Sequence, residues 1–403
     1  MFHSSKVKIK QKHLYLFLTI FIGILSLNTR NVLAFCGFFV AKVDAEMFNN
    51  RSEVAIAHQG DRTTYSLAFD YKGDPEEFAL VLPVPVVLKK EDVRVIPDNL
   101  FQRLNDFTAP RLVRYDASQQ FRRNGPVLTD NALPESAPVR VIERFSVGEY
   151  DVVILSATES NALESWLREN QYQLPGGSAR YLQPYIDKNL FFFVVKVNLE
   201  AQQRLGFKDL RPLQFTVANA RNIMLPFQLG KINSEGTQSI IVYFLSMYGR
   251  AEASNYTNVM IPSNFAVPQE IEPRFGEFYK DLLASTIKAT GRETVVTEYA
   301  WDTASCDPCS SEPLNPEELK ELGISGDRAF ITRLHLQYAK DTYNRDLEFR
   351  ITGDRRTHQG RYILTPKTAL VGENSSENVE VRAPYGKLLS DVKLEPLLEK
   401  YER

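Results

Sequence analysis

The stretch Val54-Ala55-Ile56-Ala57-His58-Gln59-Gly60-Asp61-Arg62-Thr63-Thr64-Tyr65-Ser66-Leu67-Ala68-Phe69 decides the fold class. Val54–His58 and Thr63–Phe69 are rich in β-branched and apolar residues and flank the polar turn Gln59-Gly60-Asp61-Arg62. That pattern predicts a β-hairpin, two strands running antiparallel around a glycine-bearing turn.

Outward from this hairpin, strand signals dominate. Phe78-Ala79-Leu80-Val81-Leu82 follows the turn Lys72-Gly73-Asp74-Pro75 and reads as a strand. Pro83 and Pro85 stop it, since proline has no N–H for the ladder. Val84-Pro85-Val86 is therefore expected at a sheet edge or as an extended loop. Further strands are predicted over Tyr150–Leu155, Phe191–Asn198, Leu213–Val217, Asn222–Gln228, Ser239–Leu245, Glu293–Ala300, Leu347–Thr352 and Arg361–Leu364. Leu334, Leu336 and Tyr338 alternate with Arg333, His335 and Gln337, which predicts a half-buried strand.

Helical spacing is confined to a few places. Leu100, Phe101, Leu104 and Phe107 share a face behind an N-cap at Asp98, and Pro110 ends that element. Leu163, Trp166 and Leu167 form a stripe capped by Thr158 or Ser160, with Asn170 suited to a left-handed end. Phe275, Phe278, Tyr279, Leu282, Leu283 and Thr286 repeat between Pro273 and Gly291. Asn315-Pro316-Glu317-Glu318 opens a short helix that Gly323 closes. Asp116–Pro138 is polar and proline-bearing, and reads as a long loop.

No fixed period repeats, so a solenoid is not expected. Helices do not alternate regularly with strands, which disfavours a doubly wound parallel sheet. The sequence reads as an α+β fold, mainly antiparallel sheets and hairpins with a few amphipathic helices. Four segments are expected: a signal peptide over 1–34, a β-rich α+β region over 35–255, a second α+β region over 256–370 and a polar tail over 371–403. Asn255, Pro262 and Pro268 mark irregular chain around the boundary.

The N-terminus has the three parts of an export signal. Lys6, Lys8, Lys10 and Lys12 form a basic head, Leu14 to Leu27 an apolar core, and Val32-Leu33-Ala34 supplies the residues a signal peptidase reads. The apolar core is 14 residues long, and spanning a bilayer needs about 20. Cleavage between Ala34 and Phe35 is therefore favoured over a membrane anchor, and no later stretch is long and apolar enough to span. A lipid anchor on Cys36 is the lesser alternative, because Phe35 is too bulky for a good lipobox. The protein is expected to be exported, periplasmic or secreted, with no transmembrane anchor after cleavage.

Removing 1–34 takes away Lys6, Lys8, Lys10, Lys12 and Arg30, which leaves 43 basic against 50 acidic residues, a net charge of −7. That balance argues against nucleic acid or an anionic membrane as the main partner.

Cys306-Asp307-Pro308-Cys309 is the sharpest chemical feature. An exported location lets the pair oxidise. A redox centre needs a thiolate stabilised by a helix N-terminus. Here Pro313 follows and the next helix signal is Asn315, so Cys306 and Cys309 are expected to form a structural disulfide in a loop. A redox pair or part of a metal site is the alternative. Cys36 is either a free thiol or paired through the fold. His58, His335 and His358 are not at ligand spacing, so no metal is expected. There is no Gly-x-Ser-x-Gly elbow and no phosphate-cradling glycine loop, and Pro175-Gly176-Gly177-Ser178 reads as a turn.

The chain resembles a bacterial exported family catalogued as domain of unknown function 2330. The stretches that carry the likeness begin with Cys36-Gly37-Phe38-Phe39-Val40, Gly73-Asp74-Pro75 to Val81-Leu82-Pro83-Val84-Pro85, Thr108-Ala109-Pro110-Arg111-Leu112-Val113 and Val147-Gly148-Glu149-Tyr150-Asp151. Further on come Trp166-Leu167-Arg168-Glu169-Asn170, Leu225-Pro226-Phe227-Gln228-Leu229-Gly230, Tyr299-Ala300-Trp301-Asp302 and Cys306-Asp307-Pro308-Cys309. Members often carry a cysteine near the position of Ser118, and this chain departs from them there. The resemblance implies an exported bacterial protein and transfers no catalytic residue.

Three readings of function stand at this point. The favoured one is a soluble, non-enzymatic extracytoplasmic protein that binds an envelope or extracellular partner, without a cofactor. The alternatives are a hydrolase whose site is not visible in sequence and a thiol-disulfide protein using Cys306 and Cys309.

Overall fold

The Val54–Phe69 stretch folds as a hairpin. Strand β2 (Arg51–Gln59) pairs antiparallel with β3 (Arg62–Ala68) in the register Val54↔Leu67 and His58↔Thr63. Gly60 and Asp61 make the two-residue turn, with Gly60 at φ 64°. Glycine at the first central position matches the twist of the strands it joins.

The structure is a computed structural model that describes residues 38–39, 51–68, 79–114, 141–170, 178–206, 210–219, 222–233, 236–306, 309, 311–365, 392 and 394–401. The signal peptide 1–34, the Ala34–Phe35 bond, Cys36, Ser118, the 116–138 loop and most of 371–403 lie outside these residues. The described residues all belong to one compact unit, Leu33–Arg403.

The hairpin is the middle of a nine-stranded sheet. Its order is β14 (Thr257–Met260), β16 (Thr294–Asp302), β17 (Phe330–Tyr338), β12 (Gln238–Ser246), β2, β3, β10 (Leu213–Ala218) and β5 (Val93–Val95), with β19 (His358–Gln359) also on β16. Strands from both sides of residue 255 share this sheet. A five-stranded, fully antiparallel sheet runs β1 (Phe38–Phe39), β4 (Ala79–Val84), β9 (Phe191–Val197), β8 (Tyr150–Leu155), β7 (Val141–Val147). An antiparallel three-stranded sheet joins β11 (Ile223–Leu225), β18 (Leu347–Ile351) and β13 (Ala251–Ala253). A parallel one joins β15 (Phe265–Pro268), β20 (Arg361–Thr365) and β6 (Arg111–Val113). Parallel pairs also occur in the large sheet, at β2–β12 and β14–β16. The fold is mixed α+β with mostly antiparallel sheets.

Alternation assigns each face. Leu80, Leu82 and Val84 join the core between the five-stranded and nine-stranded sheets, together with Leu67, Phe193 and Phe215. Val81, Phe192 and Val194 point the other way. There they meet Leu163 and Leu167 of α2 (Ser160–Glu169) and Leu182 of α3 (Ala179–Ile186). Burial on both faces explains the unbroken apolar run in β9. The opposite face of the nine-stranded sheet packs on α1 (Asn99–Thr108) through Leu100, Leu104 and Phe107, and on Leu319 of α6 (Pro316–Glu321). Further along the chain, Leu282 and Leu283 of α5 (Phe275–Thr290) pack with Leu397 of α7 (Leu394–Glu399) and with Tyr401. Residues 394–401, read from sequence as polar tail, are thus partly structural. A short helix α4 (Leu199–Leu205) follows β9.

Several local expectations are corrected. The strand expected to stop at Pro83 continues to Val84, with Pro83 opposite Phe192. Strand β1 reaches only Leu80 and Val81, so Pro83 lies beyond it and removes no ladder bond on that side. The residue before α2 is Glu159, with no side-chain cap bond, and Asn170 sits at φ −88°, not in the left-handed region. Arg333, expected on a solvated face, is buried under α1. Strand β7 and helices α3 and α4 were not anticipated. Pro184 lies within α3, where a proline argues against helix from sequence alone.

Candidate functional site

An apolar cleft opens where the five-stranded sheet faces β3 and β10. Tyr65 and Phe215 form its floor, stacked at 5.1 Å with an interplanar angle of 15°. Phe193 braces Phe215 from the neighbouring sheet at 5.6 Å. Burial raises the Tyr65 hydroxyl, which also bonds the backbone of Met224, so it stays a neutral phenol. One wall is Leu82-Pro83-Val84-Pro85-Val86, and the other is Met224-Leu225-Pro226. Proline suits such a wall, since its ring is apolar and its nitrogen leaves no unpaired donor facing the cleft. The cleft encloses about 510 Å³, within the roughly 300–1,000 Å³ usual for small-molecule sites. Lys188 and Glu348 are its charged residues.

A second, polar cavity of about 460 Å³ adjoins the first, and the two share Asn219, Asn222 and Glu348. The tip of the β2–β3 hairpin contributes His58 and Asp61, and β18 contributes Glu348 and Arg350. His58 Nδ1 is 2.9 Å from Thr63 Oγ1 across the strand pair. Burial lowers the His58 pKa, although Asp61 opposes the shift. Asn219 is held at φ 54° and its N–H donates to the Asp61 carbonyl at 2.8 Å. Asparagine tolerates that left-handed backbone better than most residues. Both Asp61 carboxylate oxygens are screened from solvent and accept no hydrogen bond among the described residues. Arg350 is tied to Glu252 at 3.2 Å. Glu252 is itself buried against Arg250 at 3.1 Å, and Arg250 reaches Asp354 at 2.7 Å.

A different polar cluster lies on the α1 side of the large sheet. Glu298 occupies a bulge in β16, where the pairing with β17 slips between Thr297 and Tyr299. Its carboxylate accepts from Arg333 Nε at 2.6 Å, from His335 Nδ1 at 2.6 Å and from the Tyr279 hydroxyl. Burial alone would raise the Glu298 pKa. His335, Arg333 and Tyr279 together outweigh it and hold the carboxyl well below its usual range. On the other side of the ring, His335 Nε2 lies 3.1 Å from Ser239 Oγ. Ser239, His335 and Glu298 therefore stand in the order nucleophile, base, acid. Neither cavity described above is lined by Ser239.

Cys306 and Cys309 lie with Cα atoms 4.9 Å apart and their sulfurs at bonding distance. Cys306 packs against the core beneath α1, and Cys309 is exposed. Arg103 of α1 holds the following loop, donating to the Glu312 and Pro313 carbonyls at 3.1 and 3.2 Å and to Glu318 Oε1 at 2.6 Å. Asn315 and Glu318 close a reciprocal capping box on α6. Among the described residues, no helix begins at the cysteines. His58, His335 and His358 fall in three separate places, and among the described residues no three His, Cys, Asp or Glu side chains converge as metal ligands.

The hairpin quoted from sequence thus supplies Tyr65, His58 and Asp61 to the two cavities. Their joint, Asn219, Asn222 and Glu348, was not singled out, because it unites the end of β10, the start of β11 and β18. The Ser239–His335–Glu298 relay was equally hidden, since it spans three strands.

No curated protein and no solved structure matches this chain. Among the described residues no helix is long and apolar enough to cross a membrane. A family model described as "Uncharacterized protein conserved in bacteria (DUF2330)" matches residues 31–350, most of the chain. Of the stretches quoted for that likeness, Leu82 to Pro85 and Leu225-Pro226 face each other across the apolar cleft. This chain belongs to that family of bacterial proteins.

Proposed function

We propose that this protein is exported and binds a small apolar-bodied ligand of the cell envelope in the cleft between β4 and β11. The observation that carries this reading is the cleft itself. It is a preformed apolar cavity of about 510 Å³ with a stacked aromatic floor and proline walls. Such surface left open in a folded chain costs hydration free energy that a bound apolar group offsets. Export rests on the basic head, apolar core and Val32-Leu33-Ala34 of the N-terminus. Binding without chemistry suits a cleft whose described charged residues, Lys188 and Glu348, are not arranged as nucleophile and base.

The test is titration of the purified protein with the neutral apolar fluorophore N-phenyl-1-naphthylamine. Saturable binding is expected. Met224→Trp, which fills the cleft, should weaken it at least tenfold, about 1.4 kcal/mol. Binding that is absent, or untouched by this substitution, overturns the reading.

A hydrolase is the second reading, favoured by the Ser239–His335–Glu298 order alone. A fluorophosphonate that labels Ser239 in the folded protein, but not in His335→Gln, would establish it. The binding reading expects Ser239 to remain unlabelled.

A further inference from the structure

We infer that the ligand is amphipathic and carries a cationic, amine-bearing head, which the polar cavity takes while the apolar body fills the cleft; this rests on the cleft reading above. The two cavities meet at Asn219, Asn222 and Glu348. A single molecule extending through that joint meets hydrocarbon and aromatic surface on one side. On the other it meets carboxylates and amides. A wholly apolar ligand would leave the polar cavity unused, and a wholly polar one would leave Pro85, Val86 and Met224 against water.

The sign of the head follows from how the charges there are committed. Arg350 faces the cavity but is paired with Glu252, which is shared with the buried Arg250. Glu252 serves two guanidiniums, and Asp61 and Glu348 still outnumber Arg350 among the charged residues that line the polar cavity. His58 is biased to its neutral form by burial. Against these stand two carboxylates. Asp61 has both oxygens screened from solvent without a hydrogen-bond donor. Glu348, at the joint, is half-buried, and no described residue is recorded donating to its carboxylate. A screened carboxylate without a donor is unfavourable unless a charge or donor compensates it. An ammonium in the polar cavity does so from both sides, with its N–H groups directed at Glu348 and the Asn219 and Asn222 amides. Lys188 stands on the apolar cleft, beyond the joint, and places no charge in the polar cavity.

The experiment displaces N-phenyl-1-naphthylamine from the full chain with three probes of one tail length, dodecylammonium, dodecanol and dodecanoate, all below their micellar concentrations. Dodecylammonium is expected to bind at least tenfold more tightly than dodecanol, and dodecanoate most weakly. Asp61→Asn and Glu348→Gln should each shrink the amine-over-alcohol preference severalfold. If dodecanol and dodecylammonium bind equally, or dodecanoate binds best, the cationic head is refuted and the cleft reading survives. If none of the three displaces the fluorophore, the cleft reading falls and this inference falls with it. A preference for the amine that persists in both variants also refutes the assignment to Asp61 and Glu348.

Discussion

Two carboxylates attached to the same nine-stranded sheet meet opposite conditions. Glu298, in the bulge of β16, is fully buried and accepts from an arginine, a histidine and a tyrosine. Asp61, at the tip of the β2–β3 hairpin, is screened yet accepts from nothing among the described residues. The difference separates structure from site. A buried charge with every lone pair engaged is part of the scaffold, and removing it strands its partners. A screened charge with no partner adds little to the fold and leaves a local field for something else to meet.

The comparison breaks most sharply at Glu298. Glu298→Gln removes the carboxylate paired directly with the buried Arg333, and a loss of about 3–5 kcal/mol in stability is expected. Urea unfolding monitored by tryptophan fluorescence measures it. A loss under about 1 kcal/mol would mean that the network is solvated and not part of the scaffold.

Acid sharpens the same contrast. Glu298 has its folded-state pKa depressed, so its contribution is present above the ordinary carboxyl range and is lost as pH falls below it. His358 acts at higher pH. Burial, then the charges of Arg250 and Arg361, lower it from 6.5 to about 4. The folded state resists protonating it, so stability is complete above pH 6.5 and falls as pH drops from 6.5 toward 4. Unfolding in that window should take up one proton at this site, and His358→Gln should flatten the slope of stability against pH. An unchanged slope would place the proton uptake elsewhere.

A smaller effect is expected at the cysteines. The bridge Cys306–Cys309 closes a very short loop, so the Cys306→Ser/Cys309→Ser pair should lose no more than about 2 kcal/mol. Arg103 and the α6 capping box hold the rest of that loop. Hydrogen exchange should quicken only around residues 303–315. A structural pair should also have a reduction potential below about −270 mV, and a value near −120 to −180 mV would make it a redox centre.

The smallest change is expected at Asp61. Asp61→Asn removes a charge that has no donor, so stability should shift by less than about 0.5 kcal/mol, or rise. A loss of several kcal/mol would show that Asp61 is as structural as Glu298 and would erase the contrast.

Much of the fold was legible because it is local. The β2–β3 hairpin needs only alternation around Gly60-Asp61. Helix α1 needs only Leu100, Leu104 and Phe107 at helical spacing, and α6 needs only Asn315 and Glu318 in a capping box. Strand β7 was missed because its residues are half exposed and its partner β8 lies across a two-residue turn at Gly148. Helix α3 was missed because Pro184 contradicts it locally, while Leu182, Tyr185 and Ile186 secure it through packing.

By itself, the sequence determined the α+β class, the hairpins, the family and the proximity of Cys306 to Cys309, all of which follow from residues close in the chain. Tertiary structure alone decided the parallel pairing of β2 with β12, the burial of Arg333, the three donors on Glu298 and the meeting of Asp61 with Glu348 in the polar cavity. The physical reason is range. Backbone propensity and side-chain alternation act over a few residues, whereas a cavity is the space left between elements that pack for other reasons. Asp61 and Glu348 are separated by most of the chain, and only the docking of β18 beside the hairpin tip gives their charges a common place.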